Sequence, residues 1–317
     1  MNRIKHDTSL VILASCFWLP TTPGAYAWDG CGHKTVAAIA LAQLDQKTQQ
    51  KVNVILQNDP RGRHFIDAAT WPDDIKRGLR NDLLSKAPLD KPWHFVDVPY
   101  DATPDQIDQE ITNHGATVVL GDEKSANVVT AIRFYTNQLR SGAGDAVAKA
   151  DALSWLIHLV GDVHQPLHCV TVVTPLANYT PPAKGDEGGN GFNIHHPARE
   201  LHALWDDMFD EPTGGRHEEG RDSSDDNAKN IATQLMAKVT PDPAMVAKTD
   251  PIDWARESYS LRTFAYKPPL LPNPTAVNPA HTIAPAYLAE ARADAEERVV
   301  LAGARLANLL KSIFGVH

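Results

Sequence analysis

Histidine is followed four residues later by aspartate twice in this chain, at His158 and Asp162 and again at His202 and Asp206. On a helix such residues lie one above the other on one face, which is how two side chains reach one metal ion. An isolated pair of this kind is more often a surface hydrogen bond. Here the pairs have company. His164 and His168 follow the first pair closely, and three further segments set a ligand type beside tryptophan: Trp28 to His33, Ala69 to Asp73, and Pro92 to Asp97. Indole rings around His and Asp exclude water and fix side-chain direction, as the surroundings of a metal must. The chemistry these residue types suit is binding divalent metal through nitrogen and oxygen donors.

The elements that must carry these residues are helical. Apolar periodicity predicts helices over Lys34 to Gln57, Glu123 to Leu139, Asp145 to His164, Arg199 to Phe209, Asp225 to Lys238 and Pro285 to Phe314. Pro166 is expected to end or kink the third of these, turning His168 to another direction. Alternating strand patterns are nearly absent. Pro and Gly mark two long loops, Thr174 to Asn193 with Gly188-Gly189-Asn190, and Lys267 to Pro285. The expectation is an all-α, single mainly helical domain with long loops.

Arg3 and Lys5 precede the apolar run Leu10 to Leu19, and Ala25-Tyr26-Ala27 follows Pro20. Residues 1–27 therefore read as a signal peptide cleaved after Ala27, leaving 28–317 as an exported, secreted or periplasmic, protein without a membrane anchor. The 317-residue chain holds 30 Lys and Arg against 39 Asp and Glu, a net of −9. No basic stripe announces a phosphate partner, so an anionic substrate would need bound cations to hold it. Beyond residue 27 the cysteines are Cys31 and Cys169, which in an oxidising compartment most simply form one disulfide.

In combination these motifs resemble the S1/P1 nuclease family, zinc-dependent and largely helical enzymes related to zinc phospholipase C. They run in the family's order: Trp28 with His33, Trp71-Pro-Asp73, Trp93-His-Phe-Val-Asp97, His158-x3-Asp162-x5-His168, Gly188-Gly-Asn190 and Leu201-His-Ala-Leu-Trp-Asp206. The resemblance implies three zinc ions in one cleft. One would take Asp73, His94, His158 and Asp162. A second would take His33, the other oxygen of Asp162, and Trp28 through its α-amino nitrogen and carbonyl oxygen, so that signal cleavage makes a ligand. A third would take His168, His202 and Asp206.

The same resemblance implies a hydrolase for single-stranded DNA and RNA that releases 5′-phosphorylated nucleotides through metal-activated water, with 3′-nucleotidase as a second activity. Asp162 would bridge two ions and Asp73 orient the attacking water, the two catalytic carboxylates. Phe95 would stack a base, Asp97 contact it, and Lys76 and Asn190 help hold substrate. A monomer is expected. Three departures stand out: Asp29 where the family usually has Gly, Glu200 where Asn usually precedes Leu-His, and Lys76 where Arg is common, which keeps charge but loses a bidentate fork. His164 is expected to hydrogen-bond a ligand, while His64, His195 and His196 match no ligand role. The rival readings are a zinc phospholipase C and a non-catalytic exported zinc-binding protein.

Overall fold

The computed structural model describes residues 28–76, 91–112, 127–176, 179–195, 197–209, 224–267 and 283–315. The expected signal peptide and most of the Lys267 to Pro285 loop lie outside these, as do Asn178 and the side chain of Lys76. Among the described residues the structure is helical, with isolated β-bridges such as Pro99 with Thr171 in place of strands. The helices are α1 (Gly30–Gln43), α2 (Gln46–Gln57), α3 (Phe65–Ala68), α4 (Trp71–Lys76), α5 (Pro104–Thr112), α6 (Val128–Ser141) and α7 (Ala146–Asp162). They continue with α8 (Leu201–Asp206), α9 (Asp225–Lys238), α10 (Pro243–Val246), α11 (Pro251–Ser260), α12 (Arg262–Ala265) and α13 (Pro285–Phe314). Single 3₁₀ turns cover Lys91–His94, Pro166–Cys169 and Asp207–Phe209. No described helix is long and apolar enough to cross a membrane.

Capping explains most boundaries. Asp145 accepts from Ala148 N at 2.9 Å and starts α7, and Ser224 accepts from Asn227 N at 3.2 Å to start α9. The periodic stretch Lys34 to Gln57 is two helices rather than one. Leu44 turns extended and Asp45 accepts from both Thr48 N and Thr48 Oγ1 at 2.8 Å, so a local cap restarts the helix where apolar spacing alone runs on. Asp29 likewise caps α1, taking bonds from Cys31 N and Gly32 N at 3.1 Å. That departure from the family pattern is thus a helix cap.

α7 is the axis of the structure. From Ala150 to Asp162 every residue is buried, with α6 on one side and α3, α4, α1 and α13 around it. A helix that is apolar all round is at home there, but His158 and Asp162 then need partners inside the protein. α1 packs on both α13 and α9 and brings His33 to the same end of α7.

The disulfide expected between Cys31 and Cys169 is not formed. Cys31 Sγ lies 3.7 Å from Phe209 O and 3.8 Å from Asn227 Nδ2, whereas Cys169 Sγ points at Val163 O, 3.6 Å away. Burial pushes the Cys169 thiol up to about 12, so it packs as a small neutral group.

Behind α7, the buried Arg298 and Arg305 of α13 converge on Glu257 of α11. Arg305 meets its two carboxylate oxygens at 2.7 and 3.0 Å, and Lys248 adds a contact at 2.8 Å. Arg298 also donates to His164 O at 3.1 Å and to Ser258 Oγ at 2.7 Å, which ties the end of α7 to α11 and α13. Burial alone would raise the Glu257 pKa, but Arg305 and Lys248 outweigh it and hold it below the usual glutamate value. Replacing Glu257 with Gln leaves two buried guanidinium groups short of their counter-charge. The expected outcome is a loss of about 3 kcal/mol in denaturant unfolding at pH 7. Because a depressed carboxyl stabilises only where it is ionised, the gap between wild type and Glu257→Gln should close as pH falls below the ordinary glutamate range; a gap independent of pH would rule out the charge as its source.

Candidate metal centre

Among the described residues, three groups of side chains have ligand atoms within 4.8 Å of one another: His33, Asp73 and His158; His94, His158 and Asp162; and His168, His202 and Asp206. All eight residues are buried. Asp162 divides its carboxylate between two sides. Its Oδ1 lies 3.3 Å from His33 Nε2, while Oδ2 lies 3.0 Å from His94 Nδ1 and 3.3 Å from His158 Nε2. Asp73 Oδ1 stands 3.9 Å from His94 Nδ1 and 3.8 Å from His158 Nε2. The second cluster is separate: His202 Nε2 faces Asp206 Oδ2 at 3.4 Å and His168 Nε2 at 3.2 Å.

The ring orientations are set by backbone carbonyls. His158 Nδ1 donates to Ala69 O at 2.8 Å, His168 Nδ1 to His94 O at 2.7 Å, and His202 Nδ1 to Gly188 O at 2.7 Å. With Nδ1 so engaged, each ring turns its Nε2 inward, the atom through which a neutral imidazole ligates a metal. In the His168 and His202 pair the two Nε2 atoms face each other at 3.2 Å, an arrangement that a cation between them would satisfy. Buried Asp162 Oδ1 and both His33 ring nitrogens also lack hydrogen bonds. The donor set is nitrogen and oxygen throughout, of the kind that suits zinc, and these residues fit a group of bound divalent ions.

Electrostatics agree with that reading. Burial, and then the neighbouring His158, lower the His33 pKa to about 4, which keeps it a neutral donor. Asp162 is held well below the usual carboxylate range: burial opposes this, but His158, His33 and His94 prevail. Asp206 goes the other way, pushed well above by burial despite a 2.7 Å bond from Gln165 Nε2.

Other expected site residues fall as follows. Trp28 is fully buried, with Nε1 donating to Gly161 O at 3.0 Å, and Asp29 N donates to Asp206 O at 3.1 Å. The start of the described chain therefore lies between the ends of α7 and α8. Phe95 is half-buried beside His94 and Asp97 is exposed. Although Asp97 reaches solvent, crowding around it and the carboxylates Asp186, Glu187 and Glu110 push its pKa up to about 7. Asn190 directs its amide into its own turn, donating to Glu187 O at 2.5 Å. His164 is corrected: it bonds no ligand side chain, but gives its Nδ1 proton to Val160 O at 2.7 Å and accepts from Arg305 at 2.9 Å. Burial and the two arginines keep it neutral.

Several contributors carry no sequence signature of their own. Gln165 is one. Another is Asp186, which accepts from Val172 N at 2.7 Å and Tyr266 OH at 2.8 Å and so clamps the turn that offers Gly188 O to His202. Gly188 has φ +67°, and a Cβ there would stand 2.3 Å from Leu167 O, so only glycine fits.

At Gly161 the requirement is close approach: a Cβ on α7 would meet His33 Nδ1 at 2.8 Å. Gly161→Ala should therefore displace His33 from Asp162, and elemental analysis after metal reconstitution should show fewer bound ions per chain with helical circular dichroism unchanged. Full metal content in that variant would overturn the expected displacement of the His33 ring.

Comparison with known proteins places this geometry. A family model for S1/P1 Nuclease matches residues 28–315. Nuclease S1 of Aspergillus oryzae is 28% identical over 196 residues, spanning 60% of this chain and 57% of its own. The chain thus spans little more than half the length of that relative. Endonuclease 2 of Arabidopsis thaliana is 26% identical across 96% of this chain and 97% of its own, and Nuclease P1 of Penicillium citrinum 22% across 91% and 98%. Among solved structures, an alpha toxin from Clostridium absonum aligns over 92% of this chain and 68% of its own at TM-score 0.40 and 14% identity. Since the family model runs from the first described residue, Trp28, to the end of α13, the chain belongs to the S1/P1 nuclease family.

Proposed function

We propose that this protein is an exported zinc-dependent phosphodiesterase that hydrolyses single-stranded DNA and RNA to 5′-phosphorylated nucleotides, with 3′-nucleotidase as a second activity. The observation that carries this reading is the buried Asp162 carboxylate, with one oxygen toward His33 and the other toward His94 and His158, beside a second cluster where two imidazole Nε2 atoms face each other. Membership of the family supports it.

Bound zinc ions would supply Lewis-acid activation of water and charge neutralisation at phosphorus. They would be held by His33, Asp73, His94, His158 and Asp162 on one side, with Trp28 at the chain terminus, and by His168, His202 and Asp206 on the other. The chain's own residues supply the rest. Asp73, between His94 and His158, orients the attacking water and takes its hydrogen bond. In the net reaction water adds to phosphorus, the bond from phosphorus to the 3′ oxygen breaks, and that oxygen leaves with a proton. No protein nucleophile is needed, and the buried Cys169, with its thiol at about 12, is not one. Gln165 fixes Asp206. Phe95 offers a half-buried ring face on which an unstacked base can lie, and single strands are preferred because a duplex must break stacking to deliver one.

The deciding assay incubates the protein cleaved after Ala27 with single-stranded DNA, RNA, duplex DNA and phosphatidylcholine, with and without zinc. Zinc-dependent cleavage of both single-stranded substrates, with duplex spared, is the expected outcome. Hydrolysis of phosphatidylcholine alone would favour the phospholipase reading, and no turnover with zinc bound would favour a storage protein.

A second variant separates recognition from chemistry. Stacking of a base on an aromatic is worth roughly 1 to 3 kcal/mol, so Phe95→Ala should lower kcat/KM on oligonucleotides by about 5- to 150-fold. Bis(p-nitrophenyl) phosphate has no nucleobase, and its hydrolysis should fall much less. Equal losses on both substrates with metal retained would assign Phe95 to packing instead.

A further inference from the structure

A groove of about 480 Å³ opens between α6 and α13 and is closed at one end by the segment from Val246 to Trp254. None of its lining residues belongs to the metal clusters. Arg133, Asn137 and Arg140 recur at helical spacing along the exposed side of α6, and the exposed Asn308 and Ser312 do the same on α13, with the buried Arg305 at the floor beside them. With Lys248 the lining holds four cationic side chains against one carboxylate, Asp250, and the cations still outnumber acids when Glu257 beneath Arg305 is counted. That is the reverse of the chain as a whole, whose net charge is −9.

Two groups in the groove lack the partner their chemistry calls for. Arg140 bonds Ser312 Oγ at 3.1 Å and has no carboxylate in ion-pair reach among the described residues. Thr136, only 7% exposed, makes no hydrogen bond through Oγ1, although a helical threonine hydroxyl ordinarily returns to the carbonyl one turn back. Arg133 is held in place by Asp250 at 2.7 and 2.9 Å, which leaves its other guanidinium N–H groups for a ligand. Ile132, Val246 and Leu309 add an apolar wall.

We propose that this groove is a second anion site, which takes a phosphate monoester on Arg133 and Arg140 and a nucleoside body on the apolar wall. The ligand class is a mononucleotide. The choice of nucleotide rests on the hydrolysis proposed above, because that reaction releases 5′-phosphorylated products, while the site itself requires only a phosphate with an apolar body. The volume suits a ligand of that size.

The test is calorimetric titration of the zinc-loaded protein with adenosine 5′-monophosphate, inorganic phosphate and adenosine, for wild type, Arg140→Glu and the double variant Arg133→Ala/Arg140→Ala. Arg133 and Arg140 are exposed, and neither touches the metal clusters, so hydrolysis of a single-stranded oligonucleotide should be unchanged. Wild type is expected to bind the nucleotide at two sites. In both variants one of these should weaken at least about tenfold, as loss of a charge-assisted contact requires. Unchanged binding in the variants, or equally tight binding of adenosine, would overturn the proposal. Inorganic phosphate binding as tightly as the nucleotide would overturn the assignment of a nucleoside to the apolar wall. Variant-sensitive nucleotide binding in a protein that hydrolyses no nucleic acid would leave the site standing and remove the proposed function.

Discussion

The arrangement depends on one carboxylate buried where it should not ionise. Asp162 is fully inaccessible at the end of a helix with no solvent face, a position in which an unpaired carboxylate costs several kcal/mol. Yet it is held well below its usual pKa because three imidazoles from three segments converge on it. Those imidazoles cannot all be protonated together. His33 is driven down to about 4 by burial and by His158, whereas Asp162 and Asp73 raise His158 against the effect of burial. Two carboxylates, Asp73 and Asp162, thus share a buried cluster with rings that cannot all carry a charge, an arrangement that suits a bound cation.

Such a site stays ordered only if its ligands cannot relax toward one another, and the structure meets that need from two directions. On the inner side, carbonyls of Ala69, His94 and Gly188 fix three rings by their Nδ1 protons. On the outer side, Arg298 and Arg305 brace the turn after α7 through His164 and Glu257. Most of the candidate ligands sit on helices or on a 3₁₀ turn rather than on free loops, so their separation is set by helix packing. His164, which the sequence suggests is an accessory of the metal, belongs instead to this brace.

Legibility in the sequence followed the range of each signal. α9 and α13 coincide with their predicted bounds and α7 lies within two residues of its own at each end, because long apolar periodicity is a local property of the chain. The break at Leu44 and Asp45 escaped the apolar pattern, although Asp45 with Thr48 was a cap in plain view. Four-residue helices such as α3, α10 and α12 are too short to show a period. For the site, i,i+4 pairs and tryptophan-flanked motifs identified the side chains that the fold gathers. Backbone acceptors, the Gln165 amide and the Asp186 clamp have no residue pattern to betray them. The cysteine count gave parity but no distance, and Cys31 and Cys169 turn their sulfurs to different carbonyls.

The charge distribution finally gives the centre a direction. Asp97 lies three residues beyond His94 and within electrostatic reach of Asp186 and Glu187, the residues of the turn that pins His202. A phosphate brought to this acidic edge is repelled, whereas a neutral base, with N–H donors to offer, is not. Metal ions in the two clusters would invert the sign a short distance away, where Asp73, Asp162 and Asp206 converge with five imidazoles. Under the proposed function, a nucleotide would be sorted in such a gradient by its own polarity, base toward Phe95 and Asp97 and phosphate toward the histidines. The net acidity of the chain, −9, would then work for orientation: repelled by the carboxylates at this edge, the scissile phosphate of the proposed substrate would be drawn to where the metal ligands converge.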